Sequence, residues 1–213
     1  MLFKKPKTKL FCIGLNKTGT TTLKTVLKSF DYSLGNQITA ELLLEAWNAR
    51  DFKPIIKYSK TAEAFQDIPF SLPGTYQALD ENFKNAKFIL TERDSAEQWY
   101  KSLTKFHSKL WADGERIPTI EDLKKADYRA PGYTYRANRY IYNTPENDPY
   151  NKALMLKFYN EHNQAVKAYF KSRPEKLLTI NVSNASDYAK LCLFLNKPVS
   201  ATDFPWKNKT ADA

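Results

Sequence analysis

Residues 14–23 read Gly-Leu-Asn-Lys-Thr-Gly-Thr-Thr-Thr-Leu. An apolar run over residues 9–15 leads into them, and Leu23, Val26, Leu27 and Phe30 follow at helical spacing. A turn between a strand and a helix can cradle an anion, because consecutive backbone N–H groups and the helix N-terminus carry partial positive charge. Gly19 lets the backbone come close to a phosphate. Thr20, Thr21 and Thr22 add hydroxyl donors. Gly14 and Gly19 have the spacing of the nucleoside-triphosphate loop G-x-x-x-x-G-K-[ST], but Thr20 stands where that loop has its lysine. The lysine lies within the loop instead, at Lys17. From there it cannot run along β- and γ-phosphates, but it can reach the bridging oxygen at the far end of a single 5′-phosphate. No strand ends in an aspartate placed as a metal ligand. The pattern points to a nucleotide with one 5′-phosphoryl group and a different transferable group. The plainer alternative is a threonine-rich turn that only caps a helix.

A second place of the same kind follows the run Lys87-Phe88-Ile89-Leu90-Thr91. Arg93 stands just past this strand, and the helix after it, residues 95–110, carries Ser102. Arginine suits phosphate because its planar fork makes paired hydrogen bonds. The competing expectation is a surface pair of Arg93 with Asp94 or Glu97. Trp99 and Leu103 read as core.

Lys17-Thr18-Gly19-Thr20-Thr21-Thr22 resembles the 5′-phosphosulfate loop of sulfotransferases that use 3′-phosphoadenosine 5′-phosphosulfate (PAPS), which reads Lys-[Ser/Thr]-Gly-Thr-[Thr/Ser]. The resemblance extends to residues 173–182, 188–195 and Phe204-Pro205, which are similar to the end of bacterial-type sulfotransferase domains. It is weakest over residues 31–65 and 111–150. It implies sulfuryl transfer from PAPS to an acceptor hydroxyl or amine by in-line displacement, with adenosine 3′,5′-bisphosphate leaving and no metal required. It implies that Lys17 balances charge on the leaving oxygen, that Thr18, Gly19, Thr20, Thr21 and Thr22 hold the 5′-phosphate, and that Arg93 and Ser102 hold the 3′-phosphate. The separation from Arg93 to Ser102 is one residue longer than the family's. Lys207, in Pro205-Trp206-Lys207, is a further 3′-phosphate candidate from the tail.

Many members of that family carry a catalytic histidine in a His-Leu-Pro element. The corresponding place here reads Asp67-Ile68-Pro69, which makes Asp67 the candidate general base. A carboxylate needs a raised pKa for that task, and burial beside Phe65, Ile68 and Phe70 can raise it. The plainer alternative has Asp67 capping a turn at Pro69. Glu41, Glu45 and Glu63 are rivals. His107 and His162 are the two histidines, and both read as structural.

The elements that must position these residues follow from periodicity. Strands are expected at residues 9–15, 87–91 and 177–182, and helices at 20–30, 39–49, 76–83, 95–110, 152–172 and 186–195. Ser95 is the expected N-cap of its helix, with Gln98 completing a capping box. Short apolar strands alternating with helices imply a P-loop-type three-layer α/β/α fold around a central parallel sheet. Such sheets bind ligands at the carboxyl ends of their strands. Residues 1–213 read as a single domain with a tyrosine-rich excursion at about 111–150. That excursion holds Tyr128, Tyr133, Tyr135, Tyr140 and Tyr142 among Arg129, Arg136 and Arg139, which suits a carbohydrate, aromatic or anionic acceptor; it reads equally as a packed subdomain.

Composition limits the alternatives. Apolar residues make up 42% of the chain, a globular proportion rather than a disordered one. No run reaches the roughly 18 apolar residues of a membrane span, and the chain reads as soluble and cytoplasmic. Cys12 and Cys192 lack ligand spacing, which speaks against a metal site. The net charge of +10 suits an anionic partner, but the lysines are dispersed, and nucleic acid is not expected. Two other functions stay open: a nucleotide kinase or NTPase, and a non-catalytic nucleotide- or polyanion-binding protein.

Overall fold

The computed structural model describes residues 8–205. Leu10–Cys12 (β1) is apolar and buried at every position, as a strand covered on both faces must be. It pairs in parallel with Ala64–Phe65 (β2) on one side and with Lys87–Thr91 (β3) on the other. Leu177–Ile180 (β4) continues the sheet beside β3, giving the all-parallel order β2-β1-β3-β4. The protein is therefore an α/β fold. After β1 the chain crosses to β2, then returns past β1 to β3. The carboxyl ends of β1 and β3 flank that reversal, where an open parallel sheet leaves a crevice for ligand.

Alternate side chains leave the two faces of the sheet. Leu10, Cys12 and Ile89 join Leu23, Val26 and Leu27 of Thr20–Ser29 (α1) and Leu191 and Cys192 of the C-terminal helix. Phe11, Ile13, Phe88 and Leu90 face the other way, into a cluster with Leu44, Trp47, Leu79, Val166 and Phe170. Helices thus cover both faces.

The expected helix over residues 39–49 is two short helices, Gln37–Glu41 (α2) and Leu44–Asn48 (α3). Different partners hold them: Glu41 binds Arg129, whereas the Trp47 indole donates to the Pro73 carbonyl at 2.9 Å. Lys53–Tyr58 (α4) and β2 lie in a stretch that had shown no period. The β2 strand spans 2 residues, too few for alternation to show. Thr75–Asn82 (α5) precedes β3.

Ser95 caps Ala96–Trp111 (α6), accepting from the Gln98 amide at 3.1 Å. The expected capping box is not closed, because the Gln98 side chain accepts from the Asp94 amide instead, at 3.0 Å. Ile120–Lys125 (α7) and Tyr133–Tyr142 (α8) form the segment read as an excursion. It is built into the core: Tyr133 and Ile141 belong to the larger cluster, and Leu123 and Tyr150 pack with Trp99, Leu103 and Tyr159. Lys152–Phe170 (α9) and Ser186–Phe194 (α10) complete the chain. Among the described residues no helix is long and apolar enough to cross a membrane.

Candidate active site

The loop after β1 is held by contacts that only small residues permit. A Cβ on Gly14 would sit 2.2 Å from Thr91 Oγ1 and 2.5 Å from the Thr91 backbone, so the ends of β1 and β3 touch only because residue 14 has no side chain. Gly19 has φ +103°, and a Cβ there would lie 2.2 Å from Val182 Cγ2. Three groups pull the loop back onto the fold. The Trp99 indole donates to the Asn16 carbonyl at 3.0 Å, Arg93 Nε donates to the Lys17 carbonyl at 2.8 Å, and Thr18 Oγ1 lies 2.6 Å from Thr91 Oγ1. Gly19 is the N-cap of α1 and supplies no side-chain cap. The first-turn N–H groups of α1 are therefore left to a ligand or to water.

The loop opens on a cleft of about 270 Å³, whose walls include Lys17, Gly19, Thr20, Thr21, Thr22, Glu41, Asp67, Arg93, Phe106 and Arg129. Thr18 is not among them. Its side chain is fully buried, and its hydroxyl donates to the Leu15 carbonyl, so it braces the loop from inside. Ser102 is buried on α6 and does not line the cleft. Phe106, one turn further along the helix, does. Lys207 lies outside the described residues.

Lys17 and Arg93 face the cleft as partly buried cations, and no carboxylate lies within ion-pair distance of either among the described residues. The Lys17 ammonium rests 3.7 Å from the centre of the Phe106 ring. Burial pushes its pKa down, and the Arg93 charge pushes it further. Burial likewise lowers Arg93. The surface pair expected as an alternative for Arg93 does not form with Asp94, whose carboxylate accepts from the Asn181 side-chain amide at 2.6 Å. Two desolvated cations, with no carboxylate in direct contact and only the more distant Asp67 and Asp94 charges offsetting them, make a site that an anion stabilises.

Asp67 lines the same cleft and carries the opposite charge. Its φ is +56°, a left-handed conformation unusual for a residue with a side chain. Oδ2 accepts from the Gln66 side-chain Nε2 at 3.1 Å, while Oδ1 is buried without a hydrogen-bond partner. Desolvation raises its pKa to about 6; the Thr20 hydroxyl and Gln66 pull it partly back, and the Glu41 charge adds to the rise.

Of the rival carboxylates, Glu41 shares the cleft but is occupied, accepting from Arg129 and from Gln37 at 3.1 Å. Glu45 pairs with Arg136 at 2.6 Å and Glu63 accepts from the Ser33 amide at 2.8 Å, both outside the cleft walls. His107 is buried, with Nδ1 2.9 Å from the Tyr150 hydroxyl, and burial followed by the Lys17 charge depresses its pKa to about 3. His162 Nε2 donates to the Ile13 carbonyl at 3.0 Å beneath the sheet end.

Sequence reasoning had no signal for Phe106 as the seat of Lys17. It also missed the Glu41–Arg129 pair and the anchoring of Arg93 by the Tyr159 hydroxyl, which accepts from the Arg93 amide at 2.8 Å. Chain separations of 66 to 89 residues set these contacts, and no local pattern encodes them. Among known proteins, a family model described as a sulfotransferase domain matches residues 9–213. No curated protein matches the chain.

Proposed function

Because the chain belongs to the sulfotransferase-domain family, we propose that it transfers a sulfuryl group from PAPS to an acceptor hydroxyl without a metal ion. The observation that carries this reading is the cleft itself: unpaired Lys17 and Arg93, an uncapped helix N-terminus, and a desolvated Asp67 face one space. The first-turn amides of α1 with Thr20, Thr21 and Thr22 bind the 5′-phosphate. Arg93, fixed through Nε and its own amide, presents its remaining guanidinium N–H groups to the 3′-phosphate. The segment over residues 111–150 belongs to the same unit and supplies Tyr128 and Arg129 to the cleft wall.

The donor supplies the sulfuryl group, whose bond to the bridging oxygen breaks as the acceptor oxygen bonds to sulfur. Lys17 holds positive charge where negative charge develops on the leaving side. Asp67 takes the acceptor's proton at Oδ1, the oxygen with no partner in the fold. A carboxylate with a pKa of about 6 is ionised at neutral pH and still basic enough to accept that proton.

Calorimetry with adenosine 3′,5′-bisphosphate in the absence of Mg²⁺ tests the donor site. The bisphosphate binds, and Lys17→Ala or Arg93→Ala each weakens it by roughly 10- to 100-fold, the worth of hydrogen bonds to a charged group. Binding of ATP–Mg²⁺ with no binding of the bisphosphate would refute the proposal in favour of a kinase or NTPase.

A further inference from the structure

Arg93 belongs to neither of the elements that flank it. The strand β3 ends at Thr91, the Glu92 amide still donates to the Ile180 carbonyl of β4 at 2.9 Å, and α6 begins only at Ala96. Between strand and helix the Arg93 amide has neither a sheet partner nor a helix partner. It donates instead to the Tyr159 hydroxyl oxygen of α9, at 2.8 Å. A partly buried backbone N–H is costly to leave unbonded, so this oxygen decides where the arginine backbone stands. The side chain is held as well, because Nε donates to the Lys17 carbonyl at 2.8 Å. Only the two terminal nitrogens of the guanidinium are then left for the cleft that Arg93 lines.

Tyr159 is itself firmly placed. It is 4% exposed, and its ring stacks on Trp99 with centres 4.9 Å apart and 28° between the planes. Trp99 is fully buried, and its indole donates to the Asn16 carbonyl at 3.0 Å. These contacts close a ring. Asn16 is held by Trp99, Trp99 stacks on Tyr159, Tyr159 holds Arg93, and Arg93 returns to Lys17, the neighbour of Asn16. Further along α9, His162 bonds the Ile13 carbonyl just past β1 at 3.0 Å, and Lys167 pairs with Glu92 at 2.7 Å. The helix α9 therefore grips the carboxyl ends of β1 and β3 together, and Tyr159 is its contact to Arg93.

From these contacts we infer that Tyr159 is a positioning residue: by accepting from the Arg93 amide it keeps the guanidinium in register with the loop, and so favours a nucleotide carrying both a 5′- and a 3′-phosphate over one carrying a 5′-phosphate alone. This rests on the donor site proposed above. Tyr159 does not line the cleft and acts through Arg93. A guanidinium held in place before the ligand arrives incurs little ordering cost on binding, whereas a loose one must be immobilised in each binding event. A nucleotide with a 5′-phosphate alone uses the loop and the N-terminus of α1, and gains nothing from that preorganisation.

Calorimetry on the full chain, with adenosine 3′,5′-bisphosphate and adenosine 5′-monophosphate as the two probes, tests the inference. Tyr159→Phe keeps the buried ring and its stack on Trp99, and removes only the acceptor of the Arg93 amide. It weakens the bisphosphate about tenfold and changes the monophosphate by less than about threefold. A general loosening of the core would weaken both probes alike. In an Arg93→Ala background, adding Tyr159→Phe changes bisphosphate affinity by less than about threefold, because the side chain it acts through is gone. The inference is overturned if Tyr159→Phe leaves bisphosphate affinity at the wild-type value, if it weakens both probes by the same factor, or if it still costs about tenfold once Arg93 is alanine. In each of those cases the wild type still binds the bisphosphate, and the donor site stands. If the wild type binds no bisphosphate, or binds it no more tightly than the monophosphate, the donor reading falls and this inference goes with it.

Discussion

Replacing Asp67 with asparagine removes a charge that folding places in a desolvated cleft, and the consequences for stability and for turnover have opposite signs. The Asp67 pKa rises from 3.8 to about 6 on folding, chiefly through desolvation. A folded-state pKa above the unfolded one means that the folded state favours the protonated form. The associated stability is fully present below about pH 4, is lost as pH rises through 6, and stays lost above it. A shift of about 2 units at about 1.4 kcal/mol per unit sets a ceiling near 3 kcal/mol for the cost of the charge at neutral pH. Asp67 borders an open cleft, so solvent reduces the realised cost below that ceiling. At about 2–4 °C per kcal/mol for a chain of this size, Asp67→Asn melts up to about 6–12 °C higher than wild type near pH 8, with the difference vanishing near pH 4. Turnover moves the other way. Loss of a general base lowers kcat by about 10²- to 10⁴-fold, while bisphosphate affinity is kept. In the wild type, kcat/KM falls on the acid side with an apparent pKa near 6. Differential scanning at both pH values and steady-state kinetics check these outcomes. A kcat within threefold of wild type refutes the base role, and a stability gain independent of pH refutes the desolvation account.

Two further substitutions test how the site is held. Gly19→Ala meets both a φ of +103° and a contact of 2.2 Å with Val182 Cγ2; it costs about 2–4 kcal/mol by thermal melting and abolishes bisphosphate binding. Adding Val182→Ala relieves the contact but not the backbone strain, so full recovery in the double variant would contradict the role given to φ. Far from the cleft, Asp80 is 4% exposed and accepts from Arg173, Lys176 and, at 3.1 Å, the Tyr169 hydroxyl. Burial alone would raise its pKa, but the hydrogen bonds from Lys176 and Arg173 outweigh it and hold the carboxyl below the usual range. That stability is present above the ordinary pKa of 3.8 and is lost as pH falls through the folded value. Asp80→Asn therefore costs about 3 kcal/mol at neutral pH in denaturant melts, and the deficit narrows in acid.

Much of the candidate site was legible because its constraints are local. A glycine-bounded turn between an apolar strand and an amphipathic helix needs only neighbouring residues to be recognised, and the structure puts Lys17, Gly19, Thr20, Thr21 and Thr22 around one cleft. Arg93 was picked out in the same way, since it follows a short apolar run that reads as a buried strand. Thr18 and Ser102 look like their neighbours in sequence, yet Thr18 turns inward to Thr91 and Ser102 is buried away from the cleft. Side-chain direction in a turn depends on what packs behind it, and that is not written in the turn.

The amino-acid order by itself determined the loop, the α/β alternation and the family resemblance, because backbone preferences and hydrophobic period act over a few residues. Tertiary structure alone decided which polar groups share a space and which are spent on one another. Asp67 and Glu41 are both carboxylates on the same cleft, and in sequence only the resemblance of Asp67-Ile68-Pro69 to a family element set them apart, with nothing to say which one is free. Arg129, reached across 88 residues, neutralises Glu41, while Asp67 Oδ1 is left buried and unbonded. The difference is electrostatic, and it depends on distances and burial that exist only once the chain is folded.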